Sequence, residues 1–221
     1  SSSSSSSSMG SSSSSMGSSS SSSMPANGDG AMMTLATGRA CTGWQHGFMF
    51  DIVAGDRPLL VHALHAESSR HCSRTVNVTT RTVAGGWEAN RGSAQTWSVA
   101  GEGQLTEKGK QTRLALRRPV RVEAGQRLGV FLHTPDSDSG VGFHIGDASP
   151  VQGDGLVIHK GTMAYSATPF EGIALKGRYF FGGSVEYELL PAAAAAAPAG
   201  EERAAKRARV HEDGAGAGAG V

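Results

Sequence analysis

The sequence has little cysteine and no long apolar run. Its 221 residues include only two cysteines, Cys41 and Cys72. They can form one bridge but no disulfide framework, so we expect two reduced thiols. No stretch approaches the roughly 18 consecutive apolar residues that a membrane-spanning helix needs, so we expect no membrane partner. The N-terminal stretch has no basic segment followed by an apolar one, so we expect no secretory signal within this chain.

An excess of charge of either sign is also missing. The formal net charge is +1 and the pI is ≈ 7.9. A strongly basic balance would favour nucleic acid or an acidic membrane surface as the partner, and this composition favours neither. We therefore expect no direct nucleic-acid binding.

Large apolar side chains are scarce at both ends of the chain. Residues 1–43 are rich in Ser and Gly, and residues 191–221 are rich in Ala and Gly. Such segments bury too little apolar surface to offset the entropy cost of folding, so we predict that both are disordered tails. The range between them, 44–190, has about 150 residues, which fits one domain with one hydrophobic core.

The alternation typical of β-strands is abundant, and it is clearest at 119–133. Apolar and charged residues alternate in Pro-Val-Arg-Val-Glu, and Leu128, Val130 and Leu132 share one face after Ala124-Gly125. Side chains change face at every residue of a strand, so this pattern indicates strands with one buried side. Gly125 suits a turn because it has no Cβ that would clash at positive φ.

Similar patterns recur along the domain. Further strands are predicted at 47–53, 59–65, 74–83, 95–99, 113–117, 141–145, 156–159 and 178–189. Turns rich in Gly, Pro and Asp separate them, and no amphipathic helix supplies the crossover that a βαβ fold needs. About nine strands at this spacing predict an all-β fold, an antiparallel and jelly-roll-like β-sandwich.

The strand and turn pattern resembles a known family. Three stretches, Gly-Phe-Met-Phe-Asp-Ile at 47–52, Leu-Leu-Val-His-Ala-Leu-His at 59–65 and Val-Asn-Val-Thr-Thr-Arg at 76–81, resemble the opening of a jelly-roll β-sandwich module common in algal and bacterial proteins. The outline is similar to PHR domains, where a Pro-Val-x-Val strand, here 119–122, precedes an apolar strand and a loop, here 134–140. The resemblance covers roughly 44–190. It implies a non-catalytic binding module and supplies no catalytic residues.

The eight histidines raise the question of a metal site. His62 and His65 are three positions apart, which puts them on opposite faces of a regular strand, so they cannot chelate together without a bulge. The other histidines lack the short spacings of zinc sites. We expect no metal and no cofactor. The chain also lacks a Gly-x-Ser-x-Gly nucleophile elbow, so we expect no enzyme activity.

Two polar loops are the candidate binding surfaces. In the first, Trp87 stands beside Glu88 and Arg91, and an exposed indole there would offer a stacking face to a sugar or peptide. We expect the second tryptophan of this region, Trp97, to lie in the core together with Val99. The second loop, 134–140, carries Asp136 and Asp138, and loops on a rigid sandwich often carry function.

The C-terminal tail carries a compact basic motif. Lys206, Arg207 and Arg209 follow Arg203 in a segment that resembles a monopartite nuclear localisation signal. An import receptor would be the partner of such a motif. The same segment is rich in helix formers, so a short charged helix is the alternative.

Two functions remain open. The first is a non-catalytic module, nuclear or cytoplasmic, that binds a protein or peptide partner through its loops. The alternative is a secreted or surface carbohydrate-binding or adhesive module, which a signal peptide upstream of this chain would favour. The glycosylation sequon Asn77-Val78-Thr79 is compatible with the alternative.

Overall fold

The computed structural model describes residues 30–68, 75–106, 109–136, 140–146, 149–174 and 179–192. These residues form fourteen strands, one short helix and one 3₁₀ turn at 94–96. The strands are β1 (Met32–Ala36), β2 (Gly43–Gln45), β3 (Gly47–Ala54), β4 (Leu59–Glu67), β5 (Val76–Ala84), β6 (Ser98–Leu105), β7 (Gln111–Val122), β8 (Arg127–His133), β9 (Val141–Ile145), β10 (Val151–Gly153), β11 (Leu156–Ile158), β12 (Thr162–Ala164), β13 (Tyr179–Phe181) and β14 (Ser184–Leu189). The helix is α1 (Trp87–Asn90).

The strands form three antiparallel sheets, which confirms the predicted all-β architecture. The first sheet has the order β1-β14-β4-β7. The second has the order β10-β11-β3-β8-β5-β6, and β12 also pairs with β3. The third is a small sheet of order β13-β9-β2.

The main core lies between the first and second sheets. Alternate residues of β3, β5 and β8 point into it, as predicted: Phe48, Phe50, Ile52, Val76, Val78, Leu128, Val130 and Leu132. The first sheet contributes Leu59, Val61, Leu64, Val185 and Tyr187 from its two central strands. Each buried side chain of this size contributes about 1.5 to 3 kcal/mol, so this shared interior is what holds the two sheets together.

The turn at 123–126 joins the two large sheets. Gly125 has φ 70°, and its N–H donates to the Gly55 carbonyl at 2.7 Å. The predicted turn is therefore confirmed. The strands that it joins do not pair with each other: β7 pairs with β4, and β8 pairs with β3 and β5.

The strand count exceeds the nine that we predicted, and one tail boundary was wrong. β1 lies inside the predicted N-terminal tail, but it pairs with β14, and Met33 and Leu35 pack against the core. β2, β10 and β12 were also missed. Each has only three residues, too few to show an alternation.

The predicted strand at 95–99 is also wrong. The chain forms the 3₁₀ turn first, and β6 begins at Ser98. Trp97 is buried as expected, but Val99 is 40% exposed. Among the described residues, no helix is long and apolar enough to cross a membrane.

Candidate functional site

The outer face of the second sheet is half covered. Here the side chains that alternate with the main core form a second apolar cluster, made of Met49, Val83, Trp87, Trp97, Phe131 and Ala164. Phe170 and Ile173, which follow β12, pack against it. The expectation of an exposed Trp87 is therefore wrong, because its side chain is only 3% exposed. The indole is needed inside this cluster and offers no stacking face to a ligand.

A buried carboxylate anchors the start of α1 to the sheet. Asp51 projects from β3 on this face, and its Oδ1 accepts the Trp87 backbone N–H at 2.8 Å. Its Oδ2 accepts Nη1 of Arg127 at 2.9 Å. Burial raises the pKa of Asp51 above its ordinary value, and the two hydrogen bonds only partly oppose this shift. The chain passes so close at Gly86 that a Cβ there would lie 2.5 Å from Arg127 Cδ.

The segment after β12 folds back through a strained residue. Phe170 is the non-glycine residue with positive φ, 69°, among those described. Its ring lies 5.2 Å from that of Phe131 and 5.8 Å from that of Trp97. A bulky residue in this conformation costs about 1 to 3 kcal/mol, and the aromatic packing offsets that cost.

The other half of the same face is an open polar groove. It has a volume of ≈ 400 Å³ and is lined by Asn77, Val78, Thr79, Glu102, Gly103 and Gln104. The register pairs Asn77 with Gln104 and Thr79 with Glu102 across β5 and β6. Since Val76 and Val78 face the core, the side chains of Asn77 and Thr79 point outward into the groove.

The loop that follows β8 borders this groove. Oδ2 of Asp136 accepts the Asn77 backbone N–H at 3.3 Å. The loop is held in turn by Thr134, whose backbone N–H donates to the His46 carbonyl at 2.7 Å. Asp136, which the sequence singled out, therefore lies at the edge of a groove built from strand residues.

Arg81 and His133 separate the groove from the apolar cluster. Nη1 of Arg81 is buried without a hydrogen-bond partner among the described residues, and its guanidinium carbon lies 5.8 Å from the Phe170 ring centre. His133 is buried, and its Nε2–H donates to the Ser166 carbonyl at 3.1 Å. Burial lowers the pKa of His133, which favours the neutral ring.

The outer face of the first sheet has a different character, and a bulge explains it. Between Val61 and Ala63 the register of β4 shifts against β7. The shift adds one residue to the alternation, so His62 and His65 lie on the same outward face. The expectation that they lie on opposite faces is wrong.

The charged groups of that face are paired with one another. Nε2 of His65 lies 2.7 Å from Oε1 of Glu186, and Nη2 of Arg113 lies 2.7 Å from Oε2. The hydrogen bonds from Arg113, with a further one from His65, lower the pKa of Glu186 to about 2. Nε2 of His62 lies 3.3 Å from Oε2 of Glu188 without hydrogen-bond geometry. Within the described residues, no three His, Cys, Asp or Glu side chains are grouped to hold a metal ion.

The two predicted loops do not form one site. Glu88 and Arg91 are exposed at the end of β5 where α1 begins, whereas Asp136 lies beside the first residues of β5. A strand of nine residues separates these places by about 27 Å. Asp138, Lys206, Arg207 and Arg209 lie outside the described residues.

Sequence reasoning missed the strand residues that build the groove. Asn77 and Thr79 were recognised only as part of a strand and of a sequon, and Gln104 was not singled out. The pairing of Asn77 with Gln104 joins positions 27 residues apart, and no local pattern reveals it. Asp51 did carry a signal, because it interrupts an otherwise apolar run.

Comparison with protein-family models found no matching family. Comparison with curated proteins found no match either. A candidate function therefore has to follow from the geometry of the two outer faces.

Proposed function

We propose that this protein is a non-catalytic binding module that takes a peptide segment of a partner protein in the polar groove. The observation that carries the proposal is the open groove of ≈ 400 Å³ on the outward residues of β5 and β6, with Asp136 beside Asn77 at its edge. Strands hold its amide, hydroxyl and carboxylate groups in fixed positions. Fixed polar groups in a concave site are what orients a ligand.

The covered tryptophans favour a peptide over a carbohydrate. A sugar-binding platform presents an aromatic face, but Trp87 and Trp97 are 3% and 7% exposed. The carbohydrate-binding or adhesive alternative keeps one supporting observation, the exposed sequon residue Asn77. Binding to a glycan array that Thr79→Arg abolishes would favour this alternative.

Selection from a random peptide display library tests the proposal. Thr79→Arg places a long side chain in the groove, and Ala115→Arg adds the same side chain on the exposed outer face of the first sheet. We expect the wild-type chain and Ala115→Arg to retain the same peptides and Thr79→Arg to lose them. Equal retention by both variants would place the binding surface elsewhere.

We infer that the basic tail motif directs nuclear import. The support is the cluster of Lys206, Arg207 and Arg209 after Arg203 in a segment poor in large apolar residues. Such a segment can lie extended in the acidic groove of an import receptor. A fluorescent fusion of the full chain should lose nuclear accumulation when all three residues are changed to Ala. An unchanged distribution would contradict the inference.

A further inference from the structure

The groove is lined in part by a pair of exposed amide side chains with unused hydrogen-bonding capacity. Nε2 of Gln104 donates to Oδ1 of Asn77 at 3.1 Å. One such bond leaves the nitrogen of one amide and the carbonyl of the other available. This remains true if both amides are rotated, because the donor and acceptor then exchange places. The pair therefore keeps one donor and one acceptor for a ligand.

The charged groups around this pair already face charges or donors of the protein. Oε2 of Glu102 lies 3.0 Å from Nη2 of Arg117, and Glu102 also interacts with the partly buried Arg81. Oδ2 of Asp136 accepts the Asn77 backbone N–H. A charged ligand would have to disturb one of these contacts or lie near a like charge. A neutral ligand meets neither cost.

A carboxamide matches what remains. It offers a carbonyl and an N–H₂ group on one plane, which can meet the donor and the acceptor of the pair simultaneously. The outward hydroxyl of Thr79, two residues along β5, can add a third contact. Vicinal sugar hydroxyls could also bridge the pair, but Trp87 and Trp97 are buried and present no stacking face.

We propose that the groove selects an uncharged peptide segment bearing an Asn or Gln side chain, which Asn77 and Gln104 bind through its carboxamide. This proposal rests on the peptide-binding function and specifies its ligand. Asn77 and Gln104 recognise the ligand, and Thr79 supplies a supporting contact.

Titration of the ¹⁵N-labelled full chain with capped tripeptides tests the proposal. The probes are acetyl-Gly-X-Gly N-methylamides in which X is Gln, Asn, Glu, Lys or Leu, so that only the Gln and Asn probes carry a primary carboxamide. We expect Gln or Asn to give saturable shifts at 77–79 and 102–104, with at least about tenfold weaker binding of the others, since they lose a matched pair of hydrogen bonds. Equal affinity for the Glu, Lys or Leu probe, or no saturable shift with Gln and Asn, would overturn the proposal.

Isosteric variants show whether the two amide side chains recognise the ligand. Asn77→Asp and Gln104→Glu keep side-chain size and remove an amide donor, and each should weaken the Gln probe about tenfold. Gln152→Glu makes the same change on β10, at the opposite edge of the second sheet, and should have no effect. Equal effects of all three variants would contradict the assignment.

The outcomes separate this proposal from the function on which it rests. If library peptides bind in the groove but carry a required charge, the carboxamide assignment fails and the peptide-binding function stands. If no library peptide binds in the groove, both fail.

Discussion

The outer faces of the two large sheets differ in what their polar groups contact. On the first sheet, His65 and Arg113 both pair with the half-buried Glu186. On the second, α1 and the segment after β12 cover one half, and the polar groove lies open on the other half. Polar groups that are paired with one another have little hydrogen-bonding capacity left for a ligand. This difference is why the proposed binding surface is on the second sheet.

The covered half of the second sheet is held by a hydrogen-bonded anchor and by aromatic packing. Asp51 holds the start of α1, and the aromatic rings of Trp97, Phe131 and Phe170 hold the segment after β12. Arg81 and His133 stand between this cluster and the groove. Substitutions in the apolar cluster should therefore mainly lower stability, and substitutions in the groove should mainly weaken binding.

Removing the Trp87 indole is the strongest test of the covered half. We expect Trp87→Ala to lower the free energy of unfolding by about 3 to 5 kcal/mol, the usual cost of emptying a buried aromatic site. Urea denaturation measures this difference. Tyr165→Ala, at a residue that is 50% exposed, should cost less than about 1 kcal/mol. Equal effects of the two substitutions would mean that Trp87 is not buried.

Removing the Asp51 carboxylate, which anchors the start of α1, should have the next largest effect on stability. Asp51→Ala leaves the Trp87 N–H without its acceptor and Arg127 without its partner, and we expect a loss of about 2 to 3 kcal/mol. The loss is smaller than for a wholly buried ion pair because the Arg127 side chain is 44% exposed. Asp56→Ala, in an exposed turn, is the matched control. Hydrogen exchange should quicken first at the backbone amides of α1, and uniform quickening would contradict an anchoring role.

The paired charges on the first sheet should contribute least. The pKa of Glu186 is lowered to about 2, so its stabilising effect is present above the ordinary pKa of 4.5 and is lost as pH falls toward 2. Because the Arg113 side chain is 49% exposed, we expect about 1 kcal/mol. The unfolding free energies of wild type and Glu186→Gln should differ by this amount at pH 7 and converge near pH 2. A constant difference across that range would contradict the pairing.

The sequence predicted the features that depend on local alternation. The inward rows of β3, β5 and β8 and the turn at Gly125 follow from period-two patterns and from the backbone freedom of glycine. The three-residue strands β2, β10 and β12 were not predicted, because the partner strand and not the local pattern defines them. β1 was missed because its apolar residues follow a long Ser-rich stretch.

The candidate site was only partly predictable for a similar reason. Asp136 lies on a loop that the order of strands indicated. The groove itself depends on cross-strand register, which brings Asn77 next to Gln104. Trp87 was misread because its sequence neighbours are polar, while the residues that bury it, such as Phe131 and Met49, come from distant strands. The bulge in β4 also put His62 and His65 on the same face of the sheet, and no sequence signal indicated that bulge.

Mapping the contact surface of a library-selected peptide is the most direct test of whether the groove on β5 and β6 is the binding surface. The measurement is the change in backbone amide shifts of the full chain on addition of that peptide. We expect the largest changes at 77–79 and 102–104, with residues 62, 65, 113 and 186 unaffected. Changes centred on those residues of the first sheet, with the groove unaffected, would contradict the account.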